Sequence, residues 1–291
     1  MAEQDVAIEI SRALEAAPEH LRADRLGEAE ASARQVLDID PDHSGALHIL
    51  GILAMRAGRP EVAVGLLERA IAGNGADPDF HASLAIALQA LGRLEEAVAA
   101  NRRAIEVDPA FARAYANLGV VLADQERWEA AIAAYRRAVE LAPGMAEAHY
   151  NLANALKTAG DRDAAIAHYR KAVEAKPDLA PAHYNLGTAL QAAGKLEDAV
   201  AAYRRTVDLM PDFAESHSNL GTALKGLGRM AEAIAALRRA LELEPGSAKT
   251  HANLGAALQA AGRPEEAIAA YNKAISLKAD FPEAYANLGT A

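Results

Sequence analysis

Six asparagines, Asn117, Asn151, Asn185, Asn219, Asn253 and Asn287, recur at a fixed spacing of 34 residues. Asparagine is a mediocre helix former, so six in register require a reason beyond the backbone. Its amide offers one acceptor and two donors, enough to hold a peptide bond by its C=O and N–H together. A second column, His81, His149, His183, His217 and His251, shares its register with Tyr115 and Tyr285. Metal coordination reaches only about 2 Å, and these histidines are a whole repeat apart, so they are assigned to packing. Gly226-Leu227-Gly228-Arg229-Met230-Ala231 mimics a dinucleotide-binding turn, but it follows a helical pattern rather than a strand and is rejected. The pairs Glu95-Glu96 and Glu265-Glu266 open helices, where negative charge suits the helix dipole. The sequence carries no zinc-protease motif, phosphate loop or nucleophile elbow.

These columns need a periodic scaffold, and the alanines supply its ruler. Ala29, Ala63, Ala97, Ala131, Ala165, Ala199, Ala233 and Ala267 never slip from the same spacing. With Ile10 as position 1 of the repeat, they occupy position 20. Position 7 is leucine from Leu50 to Leu288, and position 8 is small, as at Gly51, Ala85, Gly119 and Gly187. Positions 4, 7, 8 and 11 lie on one face of a helix, and positions 20, 24 and 27 on one face of a second. Between them Gly58, Gly92, Gly160, Gly194, Gly228 and Gly262 mark a left-handed helix end. Proline at position 32, as at Pro109 and Pro143, stops the second helix. Each repeat therefore reads as helix A, turn, helix B, with small residues at 8 and 20 allowing close approach.

The columns resemble the tetratricopeptide repeat family: aromatic or His at 4, Leu-Gly at 7 and 8, Ala at 20, Tyr at 24 (Tyr135, Tyr169, Tyr203, Tyr271), Ala at 27 and Pro at 32. Length and spacing match that signature. The resemblance implies an all-α right-handed superhelical solenoid whose helices A line a concave groove, with position 6 pointing into it. The asparagine column would then hold an extended polypeptide. Packed helices lie about 10 Å apart and an extended chain advances about 3.3 Å per residue, so each asparagine meets roughly every third residue. The bland alternative is that each asparagine only bonds a neighbouring helix. Asn154, Lys157, Thr188, Gln191, Thr222, Lys225 and Gln259, with Gln89, are secondary groove positions that vary between repeats and would set specificity. The co-chaperone carboxylate clamp of this family is absent, because position 5 is never lysine and Glu215 and Asn219 stand where a lysine and an arginine are required. The motif Ala182-His183-Tyr184-Asn185-Leu186-Gly187 is similar to the repeats of O-GlcNAc transferases and of bacterial repeat-bearing transferases.

The chain has no cysteine and a net charge of −10 with a pI near 5.4. That excludes disulfides and thiolate zinc sites and argues against nucleic acid, which needs a basic footprint. Membrane spans, a signal peptide and cofactors are not expected, and a cytoplasmic location is. Residues 1–17 are expected to form a capping helix, 18–281 eight repeats with a degenerate first, and 282–291 the start of a ninth, so the chain reads as part of a longer protein. In the degenerate first unit Pro18 falls within helix A, Ala17 replaces glycine and His20 replaces a large apolar residue. The function expected is a protein-interaction scaffold without catalysis of its own. The alternatives are the substrate-recognition arm of an O-GlcNAc-transferase-like enzyme and a scaffold that self-associates through its C-terminal end.

Overall fold

The computed structural model describes Ala16, residues 19–21 and residues 23–290. The capping helix expected over residues 1–17 therefore lies outside the described residues apart from Ala16, as does most of helix A of the first repeat. Two compact units, residues 1–155 and 156–291, make up the chain. The first holds α1 (Leu26–Ile39), α2 (Ser44–Arg56), α3 (Pro60–Gly73), α4 (Pro78–Ala90), α5 (Leu94–Val107), α6 (Ala112–Asp124) and α7 (Trp128–Leu141). Helix α8 (Ala146–Thr158) begins in the first unit and ends in the second. The second unit continues with α9 (Arg162–Ala175), α10 (Ala180–Ala192), α11 (Leu196–Leu209), α12 (Ala214–Gly226), α13 (Met230–Leu243), α14 (Ala248–Ala260), α15 (Pro264–Leu277) and α16 (Pro282–Leu288). The fold is all-α, a tandem array of helical hairpins, and no strand occurs among the described residues. Even-numbered helices are helices A and odd-numbered ones helices B.

In the first unit each of α1 to α6 packs on the helix that follows it, and in the second each of α9 to α15 does; helices A also touch across the repeat, α2 on α4, α4 on α6, α10 on α12 and α12 on α14. The ruler of position 20 is the deepest column: all eight alanines are fully buried. A larger side chain there would push helices A and B apart. Helix B then buries its far side against helix A of the next repeat, as where Ala116, Ala138 and Ala148 meet beside Val139 and Met145.

Each turn is set by backbone chemistry. The residue at position 15 is left-handed in every repeat described, at six glycines and also at Asp24 and Glu126, both with φ of 58°. The next N–H returns to the helix A carbonyl five residues earlier, as in Arg93 N–H to Leu88 O at 2.9 Å and Lys195 N–H to Leu190 O at 2.9 Å, which satisfies carbonyls a helix end would otherwise orphan. Where position 32 is proline, the second turn is a β-turn with that proline at its second residue, closed by bonds such as Phe111 N–H to Asp108 O at 3.0 Å and Phe213 N–H to Met210 O at 3.1 Å. Asp77 and Ser247 then cap helices A with their side chains.

Candidate peptide-binding face

Within each unit the face of interest is formed by positions 2, 5, 6, 9, 12 and 13 of successive helices A. The six asparagines at position 6 are all half-buried, one residue before the leucine at position 7. In the second unit two of them bond the preceding helix A. Asn219 Nδ2 donates to the Tyr184 hydroxyl at 3.1 Å, and Asn253 Nδ2 donates to Thr222 Oγ1 at 3.3 Å. A primary amide has two N–H groups and a carbonyl, so each of these bonds consumes one donor of the side chain. Asn185 also has an interaction partner. In the first unit the Asn117 amide nitrogen is buried with no acceptor.

The secondary positions form a supporting network on the same face. Thr188 and Thr222 donate their hydroxyl protons to the Tyr184 and Ser218 carbonyls of their own helices, both at 3.0 Å. That leaves the Thr222 oxygen free to accept from Asn253. Gln191 accepts from the Tyr203 hydroxyl at 2.8 Å. Gln259 accepts from Tyr271 at 3.0 Å and donates to Thr290 at 3.3 Å. The structure thus joins Asn253 to Thr222 directly, and gathers Thr188 and Gln191 around Tyr203. Lys157 is exposed and Lys225 half-buried, while Asn154 has a partner of its own. Burial pushes the phenols of Tyr135, Tyr184, Tyr203 and Tyr271 above their ordinary range; for Tyr184 the neighbouring Glu215 adds to the effect. All four remain neutral donors at physiological pH.

Sequence reasoning assigned the histidines to packing and missed their bond. Each reaches through Nε2 to the carbonyl of the position-32 residue six places earlier: His81 to Gly75 at 3.0 Å, His149 to Pro143 at 3.0 Å, His183 to Pro177 at 3.0 Å, His217 to Pro211 at 2.9 Å and His251 to Pro245 at 3.1 Å. A carbonyl only accepts, so Nε2 carries the proton and donates in all five. The column therefore ties five of the inter-repeat turns to the helix that follows each. No cluster of His, Asp and Glu suited to a metal ion occurs among the described residues, and no described helix is long and apolar enough to cross a membrane.

Comparison with known proteins agrees with this architecture. Two tetratricopeptide repeat models match the chain, one over residues 14–79, 82–146, 122–180, 150–212 and 184–248, the other over 224–290. No curated protein matches. Among solved structures, YrrB, a repeat protein of this kind with an unusual peptide-binding site, shares 27% identity at a TM-score of 0.62, covering 65% of this chain and 97% of its own. PilF of Pseudomonas aeruginosa shares 21% at 0.64, covering 72% and 96%. MamA of Desulfovibrio magneticus RS-1 shares 23% at 0.54, covering 58% and 95%. The last two show the fold alone.

Proposed function

We propose, for a chain that belongs to the tetratricopeptide repeat family, that it is a protein-interaction scaffold whose helix A face is a groove holding an extended polypeptide. The observation that carries this reading is the asparagine column on one face of consecutive helices A. Where Asn219 and Asn253 spend one N–H on the preceding repeat, each keeps a carbonyl and a second N–H, the pair that a peptide bond requires. The tie to the neighbour orients the amide before a partner arrives, which lowers the ordering cost of binding. Many weak clamps in series then give affinity without reading side chains. YrrB, with its peptide-binding site, is a precedent for the type of ligand.

The test is the Asn151→Ala, Asn185→Ala and Asn219→Ala triple variant against a displayed library of random peptides. The expected result is an intact helical spectrum with a strong loss of captured peptides. Equal capture by a folded triple variant removes the ladder from the binding role.

A further inference from the structure

Three repeats end on phenylalanine at position 34, the residue just before the next helix A: Phe111, Phe213 and Phe281. Two of these rings hold a cation from the chain itself. The Arg113 guanidinium lies 5.1 Å from the Phe111 centroid, and the Lys278 ammonium lies 5.4 Å from that of Phe281. Both are within the range of cation–π attraction, about 6 Å. Arg113 also pairs with the Asp79 carboxylate on α4. The first unit thus contains a complete set of carboxylate, guanidinium and ring. Phe213 holds no such cation among the described residues. Two residues beyond Phe111 stands Arg113, whereas two residues beyond Phe213 stands Glu215.

The surroundings of Phe213 make a site of that difference. Its ring meets the ring of Tyr184 on α10 edge to face, with centroids 5.1 Å apart, and both are half-buried. The Tyr184 hydroxyl receives the amide of Asn219 at 3.1 Å. Glu215 and Asn219 are four residues apart on α12, so their side chains lie on one side of that helix. The Glu215 carboxylate is near enough to the phenols of Tyr184 and Tyr203 to push both pKa values up. It is exposed and forms no ion pair among the described residues, and Lys249 at the same position of α14 leaves it unpaired. The second unit therefore presents the carboxylate and the rings without the cation, beside an asparagine of the groove.

The missing member has a definite chemistry. The faces of aromatic rings are negative, and so is the carboxylate, so both attract a cation. A guanidinium fits better than an ammonium, because it stacks on a ring and offers a carboxylate two parallel donors. An apolar side chain in that place would take water from the carboxylate without replacing its hydrogen bonds, and an acidic one would be repelled. The chain's net charge of −10 draws a basic segment towards it.

We propose that the second unit selects an arginine in the extended polypeptide, its guanidinium set against Phe213 and Tyr184 and paired with Glu215, while Asn219 holds an adjoining peptide bond. This rests on the groove reading above and adds a side-chain preference that the asparagine column alone does not have.

The experiment is selection of a displayed library of random peptides on the whole chain, with sequencing of those captured, followed by calorimetric titration with one captured peptide and its arginine-to-glutamine counterpart. Arginine is expected to be enriched over the unselected library, and the counterpart to bind about tenfold more weakly. Glu215→Gln and Phe213→Leu are each expected to reduce that difference with the helical spectrum intact. Leucine is accommodated at position 34, where Leu179 stands in the preceding repeat. Glu174→Gln, an exposed helix B residue, changes the net charge equally and is expected to leave the difference unchanged. Captured peptides without arginine enrichment overturn the proposal. So does an arginine preference that survives both Glu215→Gln and Phe213→Leu, or one that Glu174→Gln reduces as much as Glu215→Gln does, which makes it an effect of bulk charge. Capture without arginine preference that the asparagine triple variant abolishes sinks this proposal and leaves the groove reading standing; no capture at all by the wild type sinks both.

Discussion

Gly187 on helix A lies against the ring of Tyr203 on helix B: a Cβ built at Gly187 comes within 2.8 Å of both Cδ1 and Cε1. The same contact joins Gly119 to Tyr135 and Gly255 to Tyr271. The small residue at position 8 therefore makes room for a ring as well as for a backbone, and the Tyr203 hydroxyl is carried through to Gln191 on the helix A face.

Gly187→Ala is expected to destabilise the second unit. Alanine gains about 1 kcal/mol of helix propensity over glycine, but overpacking costs about 1–3 kcal/mol, and the ring is fully enclosed. Gly65, exposed on α3 with nothing near its missing Cβ, has the propensity term alone, so Gly65→Ala is expected to stabilise by up to about 1 kcal/mol. Urea midpoints of the two variants should move in opposite directions. A shared direction shows that the Gly187 contact relaxes freely.

Glu126 adopts the left-handed conformation that glycine holds in six other repeats. For a residue with a Cβ that region costs roughly 1–2 kcal/mol, and glycine returns part of the gain as unfolded-state entropy. Glu126 is exposed, so Glu126→Gly removes strain without removing packing. It should raise the urea midpoint by the equivalent of about 1 kcal/mol or less. A lower midpoint means that this side chain has an interaction worth more than the strain.

That position shows where sequence reading stops. The glycines at position 15 announced the turn, but Asp24 and Glu126 interrupt the column, and only the phase of the surrounding alanines requires the same backbone there. Helices A and B were legible because their apolar periods never slip. Which way an amide points was not legible, because that depends on a torsion and on the neighbouring repeat. Asn219 finds a hydroxyl in Tyr184, whereas Asn117 follows a repeat with Ala82 at the equivalent place. The histidine bonds were hidden for a similar reason. Their acceptor is a backbone carbonyl, which every residue has, so no side-chain column marks it.

Asn101 occupies position 24, where four repeats have tyrosine. It is fully buried, and neither its nitrogen nor its oxygen has a hydrogen-bond partner in the protein. An unsatisfied buried polar group costs about 1–3 kcal/mol. Leu67 and Leu237 fill the same position and are fully buried, so the architecture accepts leucine there. Asn101→Leu is expected to stabilise the first unit by about 1–3 kcal/mol, read as a higher midpoint in chemical denaturation. Destabilisation instead means that the amide holds a bound water, which leucine would displace.

His48 gives the first unit a pH dependence of definite sign. Its ring sits 4.7 Å from that of Phe80 and shares a hydrogen bond with Ser83. Burial lowers its pKa to about 4; Asp77 opposes the shift and Arg113 adds to it. Above about pH 6.5, the ordinary histidine value, His48 is neutral folded and unfolded, and its contribution does not vary. As the pH falls from 6.5 towards 4, the unfolded chain takes up a proton that the folded chain refuses, so stability declines. Below about 4 both forms are charged and the decline from this group ends. A tenfold difference in proton affinity between the two states corresponds to about 1.4 kcal/mol, which sets an upper bound of about 3 kcal/mol across the window. Carboxylates titrate near its lower edge, so the informative quantity is the difference between wild type and His48→Gln, which retains a polar tip for Ser83 and does not titrate. That difference should be flat above pH 6.5 and move in favour of the variant between 6.5 and 4. Parallel curves through the window would show that the folded ring accepts its proton as readily as the unfolded one does, and that the tie between α2 and α4 does not depend on a neutral imidazole.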